Sequence, residues 1–309
     1  MNKHMERTSR WLKRHARPLE AARWEALFEK GSKPKVLEYL KAFQNEDGGF
    51  GHGIEPDFQL PDSSPMAAWA ASQVLTELNV SSKEPLLQQM VSYLLRTYDH
   101  HTGMWPSVIP EVNQYPHAPW WTWREGVQSN WMFNPGAEIA GFLIECSQAN
   151  TEAWSTGVES AGKALQHLMN AHEMDFHEWQ CYQNLWISLN RNAEQVQGHL
   201  PYSIQQVQAH LLSLGEECLI MDPSEWGNGY GALPTDIISS PQHPLYSQYK
   251  PLVLENLRYF LRTLKEEGVW DISWDWGGGS KAFAIAEQQW KGITAVHRWK
   301  KINAFQEEW

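Results

Sequence analysis

Two loops group acids, histidine and indoles most closely. The first, Gly51-His52-Gly53-Ile54-Glu55-Pro56-Asp57-Phe58-Gln59-Leu60, brings one imidazole and two carboxylates close together in sequence. Such a set can serve as acid, base and proton shuttle, or can ligate a metal ion. Asp57, with Asp62 further along the same loop, can instead cap backbone N–H groups in a long turn. The second, Asp271-Ile272-Ser273-Trp274-Asp275-Trp276-Gly277-Gly278-Gly279, separates two acids by four residues and interleaves them with indoles. Paired carboxylates divide acid and base roles in glycoside cleavage, and glycines let a ligand approach the backbone. The competing reading is a helix-to-helix turn in which the acids cap and the indoles pack. Glu55, Asp57, Asp271 and Asp275 are therefore the candidate catalytic acids, and His52 the candidate proton shuttle.

The chain has 18 Trp in 309 residues, so many must fill the core. Others can stack on sugar rings or face a cation. Trp120 and Trp121 crowd one loop, and Trp274 and Trp276 another; these four are the candidate ligand-stacking residues. Loop indoles are better placed for ligand contact than helix-face ones such as Trp69, Trp186 or Trp290. A third segment, Glu225-Trp226-Gly227-Asn228-Gly229-Tyr230-Gly231, lacks the preceding strand of a dinucleotide fingerprint. Its Ser239-Ser240-Pro241 echoes Ser63-Ser64-Pro65 and marks a degenerate repeat. His100, His101 and His117 show no HExxH spacing, and Cys146, Cys181 and Cys218 no CxxC. No metal site is assigned and no cofactor is indicated. Three dispersed cysteines fit a reducing cytoplasm rather than a disulfide framework.

The elements that must position these loops repeat. Tyr39-Leu40 leads through Gln44 to Gly48-Gly49-Phe50, Tyr93-Leu94 through Tyr98 to Gly103-Met104-Trp105, and Phe260-Leu261 through Lys265 to Gly268-Val269-Trp270. Apolar residues before each turn fall at helical spacing: Val36, Leu37, Leu40 and Phe43; Leu87, Met90, Leu94 and Tyr98; Val253, Leu257, Phe260 and Leu264. Each glycine predicts a helix stop with positive φ, and the next aromatic but one should fold back over the helix end. Ser64-Pro65 and Asn134-Pro135 predict an N-cap followed by proline at the first helical position. Ser203-Ile204-Gln205-Gln206 predicts a capping box. The unit is helix, glycine/aromatic turn, helix. Residues 1–30 are expected to form a capping or packing helical segment. No linker interrupts the chain, so residues 1–309 are expected to form one domain. β-branched alternation is nearly absent, which disfavours a sheet.

Lys35, Tyr39-Leu40, Gln44 and Gly48-Gly49-Phe50 resemble the QW-type repeat of the terpenoid cyclase and protein prenyltransferase superfamily. This first copy has Val36 in place of Gly and Phe50 in place of Trp; the later copies carry Tyr98 and Lys265 in place of Gln. The resemblance implies an all-α fold, an α/α toroid, complete or incomplete, with inner and outer rings of helices around a cavity. It does not imply a reaction. The Asp-x-Asp-Asp and Asp-Asp-x-x-Asp motifs are absent, and no Asp, Cys, His zinc set matches that of the prenyltransferases. The expected function is a toroid with a ligand cavity lined by aromatics and acids, its reaction unassigned. Two alternatives stay open. One is a carbohydrate-active enzyme, glycoside hydrolase or polysaccharide lyase, using paired carboxylates. The other is a non-catalytic binding toroid. A narrow, wholly aromatic pocket would favour an isoprenoid, and polar walls a glycan.

A net charge of −11 argues against nucleic acid as a partner. The basic residues Lys3, Arg7, Arg10, Lys13, Arg14 and Arg17 read as a solvated first helix, with a membrane or partner contact as the alternative. No apolar run follows them to make a secretory signal, and none is long enough to span a bilayer. The expected location is cytoplasmic, and the expected partner a small molecule or oligosaccharide.

Overall fold

The computed structural model describes residues 3–228, 231–277 and 279–308. They are all-helical: α1 Lys3–His15, α2 Pro18–Phe28, α3 Lys33–Lys41, α4 Pro65–Glu77, α5 Pro85–Thr97, α6 Gly136–Cys146, α7 Glu152–Asn170, α8 Phe176–Arg191, α9 Ala193–Val196, α10 Ile204–Cys218, α11 Pro234–Ile237, α12 Tyr246–Thr263 and α13 Lys281–Ala304. Among the described residues there is no strand, only isolated bridges at turns. None of their helices is long and apolar enough to cross a membrane. The chain divides into two compact units. A terminal unit combines Met1–Ala42 with Cys218–Trp309, and a middle unit holds Phe43–Glu217.

The repeated motif has one geometry. Gly48, Gly103 and Gly268 adopt φ of 86°, 76° and 102°. Their N–H groups donate to the carbonyls of Asn45, Asp99 and Lys265 at 3.0, 2.7 and 3.0 Å. The backbone then doubles back, with Asn45 N–H donating to Gly49, Asp99 N–H to Met104 and Lys265 N–H to Val269 at 2.9 to 3.0 Å. The aromatic that follows is buried in all three. Trp105 Nε1 donates to the Leu94 carbonyl and Trp270 Nε1 to that of Phe260, both at 2.8 Å. Phe50 has no such donor. In that copy Gln44 Nε2 donates to the carbonyls of Gly48 and Leu86, each at 3.0 Å. The two indoles thus take up carbonyls near the C-terminal ends of α5 and α12, whereas Gln44 ties its own turn to the start of α5. A degenerate fourth turn occurs where Ile220 N–H meets the Ala232 carbonyl and Trp226 Nε1 donates to Ile220 at 2.9 Å; Gly229 and Tyr230 of that segment lie outside the described residues. Ser239-Ser240-Pro241 starts no helix.

In the middle unit α6 packs on α4, α7 and α8. Its approach is close because small residues meet there. A Cβ on Gly141 would lie 3.0 Å from Ser188 Oγ, and one on Gly157 of α7 would lie 2.9 Å from the Ala140 carbonyl. In the terminal unit α2 packs on α1, α3 and α13. Residues 3–28 form two helices there. Thr8 Oγ1 donates to the Gly268 carbonyl at 2.6 Å and accepts from Trp299 Nε1 at 2.9 Å, tying the first helix to the last turn. Ser64 Oγ caps Ala67 N–H as expected, and Ser203 and Gln206 exchange capping-box bonds. Asn134 corrects its expectation. It does not cap α6, whose N-cap position is Pro135 after a cis peptide bond. Its side chain instead accepts from Cys181 Sγ at 3.6 Å.

The turn geometry sets a stability contrast. A Cβ on Gly48 would lie 2.4 Å from the Gln89 carbonyl oxygen, and one on Gly268 would lie 2.6 Å from the Arg7 carbonyl carbon. Backbone cannot swing away as a side chain can. Gly48→Ala and Gly268→Ala should each cost about 2–4 kcal/mol in denaturant unfolding. Gly277→Ala, at φ of 74° in open space, should cost only the conformational strain, about 1 kcal/mol. Equal losses at the three sites would contradict the packing role.

Candidate functional site

The loop after the first turn is tucked inward. Glu55 is 7% exposed and Asp57 2%. Phe58 N–H donates to the Glu55 carbonyl at 3.1 Å, and Ala118 N–H to that of Asp57 at 2.8 Å. Gln59 N–H reaches the Pro116 carbonyl at 3.1 Å. These bonds bring the loop against the segment that carries Trp120 and Trp121. Trp121 is buried, edge-on to Phe58 at 6.2 Å and stacked on Trp131 at 4.3 Å; Trp120 is half-buried. Glu55, Asp57 and the two indoles therefore share one region of the middle unit. His52 belongs to the same loop but is exposed, and its Nε2 lies 2.8 Å from Asn45 Oδ1.

Asp271 and Asp275 belong to the terminal unit. Asp271 is exposed and paired with Lys265 at 2.8 Å and Lys291 at 3.7 Å. The Lys265 ammonium is the main cause holding its carboxyl below the usual range. Asp275 Oδ1 accepts the Gly277 N–H at 2.5 Å, closing a turn over itself. Trp274 rests edge-on against Trp290 at 5.3 Å, and Trp276 lies 5.9 Å from Phe283. Gly278 lies outside the described residues. The polar partners of Asp271 and Asp275 are lysines and a turn amide.

A denser constellation lies on the helices of the middle unit. Glu138, third residue of α6, is half-buried. Its Oε2 accepts Trp69 Nε1 at 2.7 Å and its Oε1 accepts Gln73 Nε2 at 3.4 Å; the Asn184 side chain is a third donor. Trp69 and Gln73 stand one turn apart on α4, so a single face presents both. Asn184 comes from α8. Trp69, Gln73 and Asn184 are also half-buried. Three helices thus converge on one carboxyl, and burial raises its pKa against the pull of its three donors.

Glu178, third residue of α8, is the second carboxyl. Burial pushes it up to about 7; the Phe133 backbone N–H opposes the rise and Asp175 adds to it. His167 Nε2 lies 3.4 Å from Glu178 Oε1, within ion-pair range, yet that oxygen has no aligned hydrogen-bond donor among the described residues. One turn on, the buried Tyr182 hydroxyl also has no hydrogen-bond partner there. Cys181 is buried within reach of both glutamates' charge, and burial together with both carboxylates raises its pKa well above the ordinary thiol value. A thiol in that setting stays protonated and inert. Among the described residues no group of three His, Cys, Asp or Glu side chains could hold a metal ion.

Sequence reasoning passed over Trp69, Gln73, Glu138, Glu178 and Asn184 because they lie within helices. One signal was present: Glu138 is the only charged residue in the apolar run Gly136 to Ile144. Compared with known proteins, the chain matches no protein-family model, no curated protein and no solved structure.

Two outcomes follow. Glu138→Ala strands three N–H donors and should destabilise the protein by about 2–3 kcal/mol, whereas Glu138→Gln, which keeps one acceptor oxygen, should cost less. Glu178 has a folded pKa of about 7, above its ordinary 4.5. Its contribution is therefore fully present below pH 4.5 and is lost as pH rises through about 7. Glu178→Gln should gain stability relative to the parent over that window, by on the order of 2 kcal/mol in denaturant unfolding. A difference independent of pH would contradict a desolvated Glu178.

Proposed function

We propose that the middle unit carries a carbohydrate-active site in which Glu178 is the acid and Glu138 the base. The observation that carries this reading is the polar wall. Trp69, Gln73 and Asn184 from two helices meet on Glu138 from a third, all partly open to solvent. An indole beside amides and a carboxyl suits a polyhydroxylated ring better than an isoprenoid chain, which calls for an aromatic enclosure. The roles follow from hydrogen-bond chemistry. Every neighbour that bonds the Glu138 carboxyl is a donor, so Glu138 serves as an acceptor and can orient and deprotonate a water. Glu178 straddles neutrality and keeps one oxygen unbonded, so it can give a proton to a leaving oxygen.

The fold proposal that accompanies it is an α/α toroid of the terpenoid cyclase and prenyltransferase type. Its support is the turn shared by three copies, with matching hydrogen bonds and positive-φ glycines. The isoprenoid chemistry of that superfamily is not part of the proposal, because neither of its acidic motifs is present.

Screening soluble neutral and uronic oligosaccharides for reducing-end release, with farnesol binding as the counter-screen, tests the function. The expected result is turnover of one glycan class that falls roughly 100-fold or more in Glu178→Gln, with the fold intact by circular dichroism. Saturable farnesol binding without any response to glycans would overturn it.

A further inference from the structure

Arg298 of α13, in the terminal unit, has an arrangement that no role above uses. Its guanidinium carbon lies 4.9 Å from the ring centroid of Phe260 and 5.2 Å from that of Trp270. Both rings are buried, so the cation rests against aromatic carbon. The side chain is half-buried, yet none of its N–H groups is hydrogen-bonded to a described residue. The acid that senses its charge is Asp236, and that carboxylate is already engaged. Asp236 Oδ1 pairs with Lys301, and Oδ2 accepts the Leu233 N–H at 2.8 Å. The nearby Tyr259 hydroxyl donates to the Trp226 carbonyl at 3.2 Å. Lys301 is three residues from Arg298, on the same side of the helix. Two cations therefore share one carboxylate, leaving a local positive excess in a chain whose net charge is −11.

A guanidinium withdrawn from water calls for an acceptor. Its planar fork matches the paired oxygens of a carboxylate or a phosphoryl group, and contact with the two rings restricts the side chain before a ligand arrives. We propose that Arg298 is the seat of an oxyanion-binding site in the terminal unit, taking the carboxylate or phosphoryl group of a small ligand, with Lys301 adding attraction. The site is independent of the carbohydrate reading of the middle unit.

The test is calorimetric titration of the full chain at low ionic strength with inorganic phosphate and, separately, with citrate. Sodium chloride of matched ionic strength is the reference. Saturable binding of phosphate, of citrate or of both is expected, and which one binds identifies the group. Arg298→Gln should weaken binding roughly tenfold or more. Arg258→Gln, which alters an exposed arginine paired with Glu255, should leave it unchanged. Arg298→Lys keeps the charge over the rings but loses the fork; it should also bind more weakly, and it carries the test if the Gln variant does not fold. No binding beyond chloride, or equal binding by the parent and the Arg298 variants, would overturn the site.

Discussion

An α-helix leaves its last carbonyls without intrahelical partners, and this chain answers that constraint with a repeated turn. A glycine reverses the backbone, and the aromatic behind it is buried. Where the aromatic is Trp105 or Trp270, the indole N–H takes up a carbonyl from the final turns of α5 or α12. Where it is Phe50, which has no donor, the Gln44 amide satisfies two carbonyls nearby. The return path of the chain after α5 and α12 depends on this closure. So does the burial of the large aromatics that follow the glycines. In the terminal unit the same turn also receives the N-terminal helix, through Thr8 and Trp299.

With helix ends closed, the helices of the middle unit can pack through small residues. Close packing desolvates what lies on their facing surfaces. Glu138 and Glu178 each occupy the third position of a helix. The N-terminal end of a helix favours a negative charge, while burial disfavours it, and burial wins at both. Glu178 is thereby poised between its two protonation states near neutrality. Charge in the terminal unit is handled differently. Asp271 is exposed and neutralised by two lysines, whereas Arg298 is half-buried against aromatic rings.

The all-helical class and the turn geometry were legible because glycine spacing, capping residues and apolar periodicity are local signals. Ser64 and the Ser203–Gln206 box behave as such signals predict. Asn134-Pro135 carries the same local pattern but misleads, because the Asn134 side chain finds Cys181 of α8 instead of the next helix's amides. The helix-borne glutamates were hidden for a related reason. Asp175-Phe176-His177-Glu178 has the pattern of a cap with an acid three residues on. The Glu178 carboxyl nevertheless takes the N–H of Phe133, a residue distant in sequence. Trp69 looked like a packing residue on a helix face, and only the tertiary arrangement reveals its indole N–H on Glu138. Loop composition drew attention to Asp271 and Asp275, whose ion pair with Lys291 and turn over Gly277 could not be read from the loop alone.

The desolvated state of Glu178 is the claim on which the proposed chemistry rests. It is measured most directly by following the side-chain carboxyl carbons of glutamate-labelled protein by 13C NMR from pH 3 to 9, with Glu178→Gln supplying the assignment. The prediction is one resonance, missing in the variant, that titrates near pH 7. A Glu178 resonance that titrates near the ordinary 4.5 would contradict it and would leave the middle unit without its proton donor.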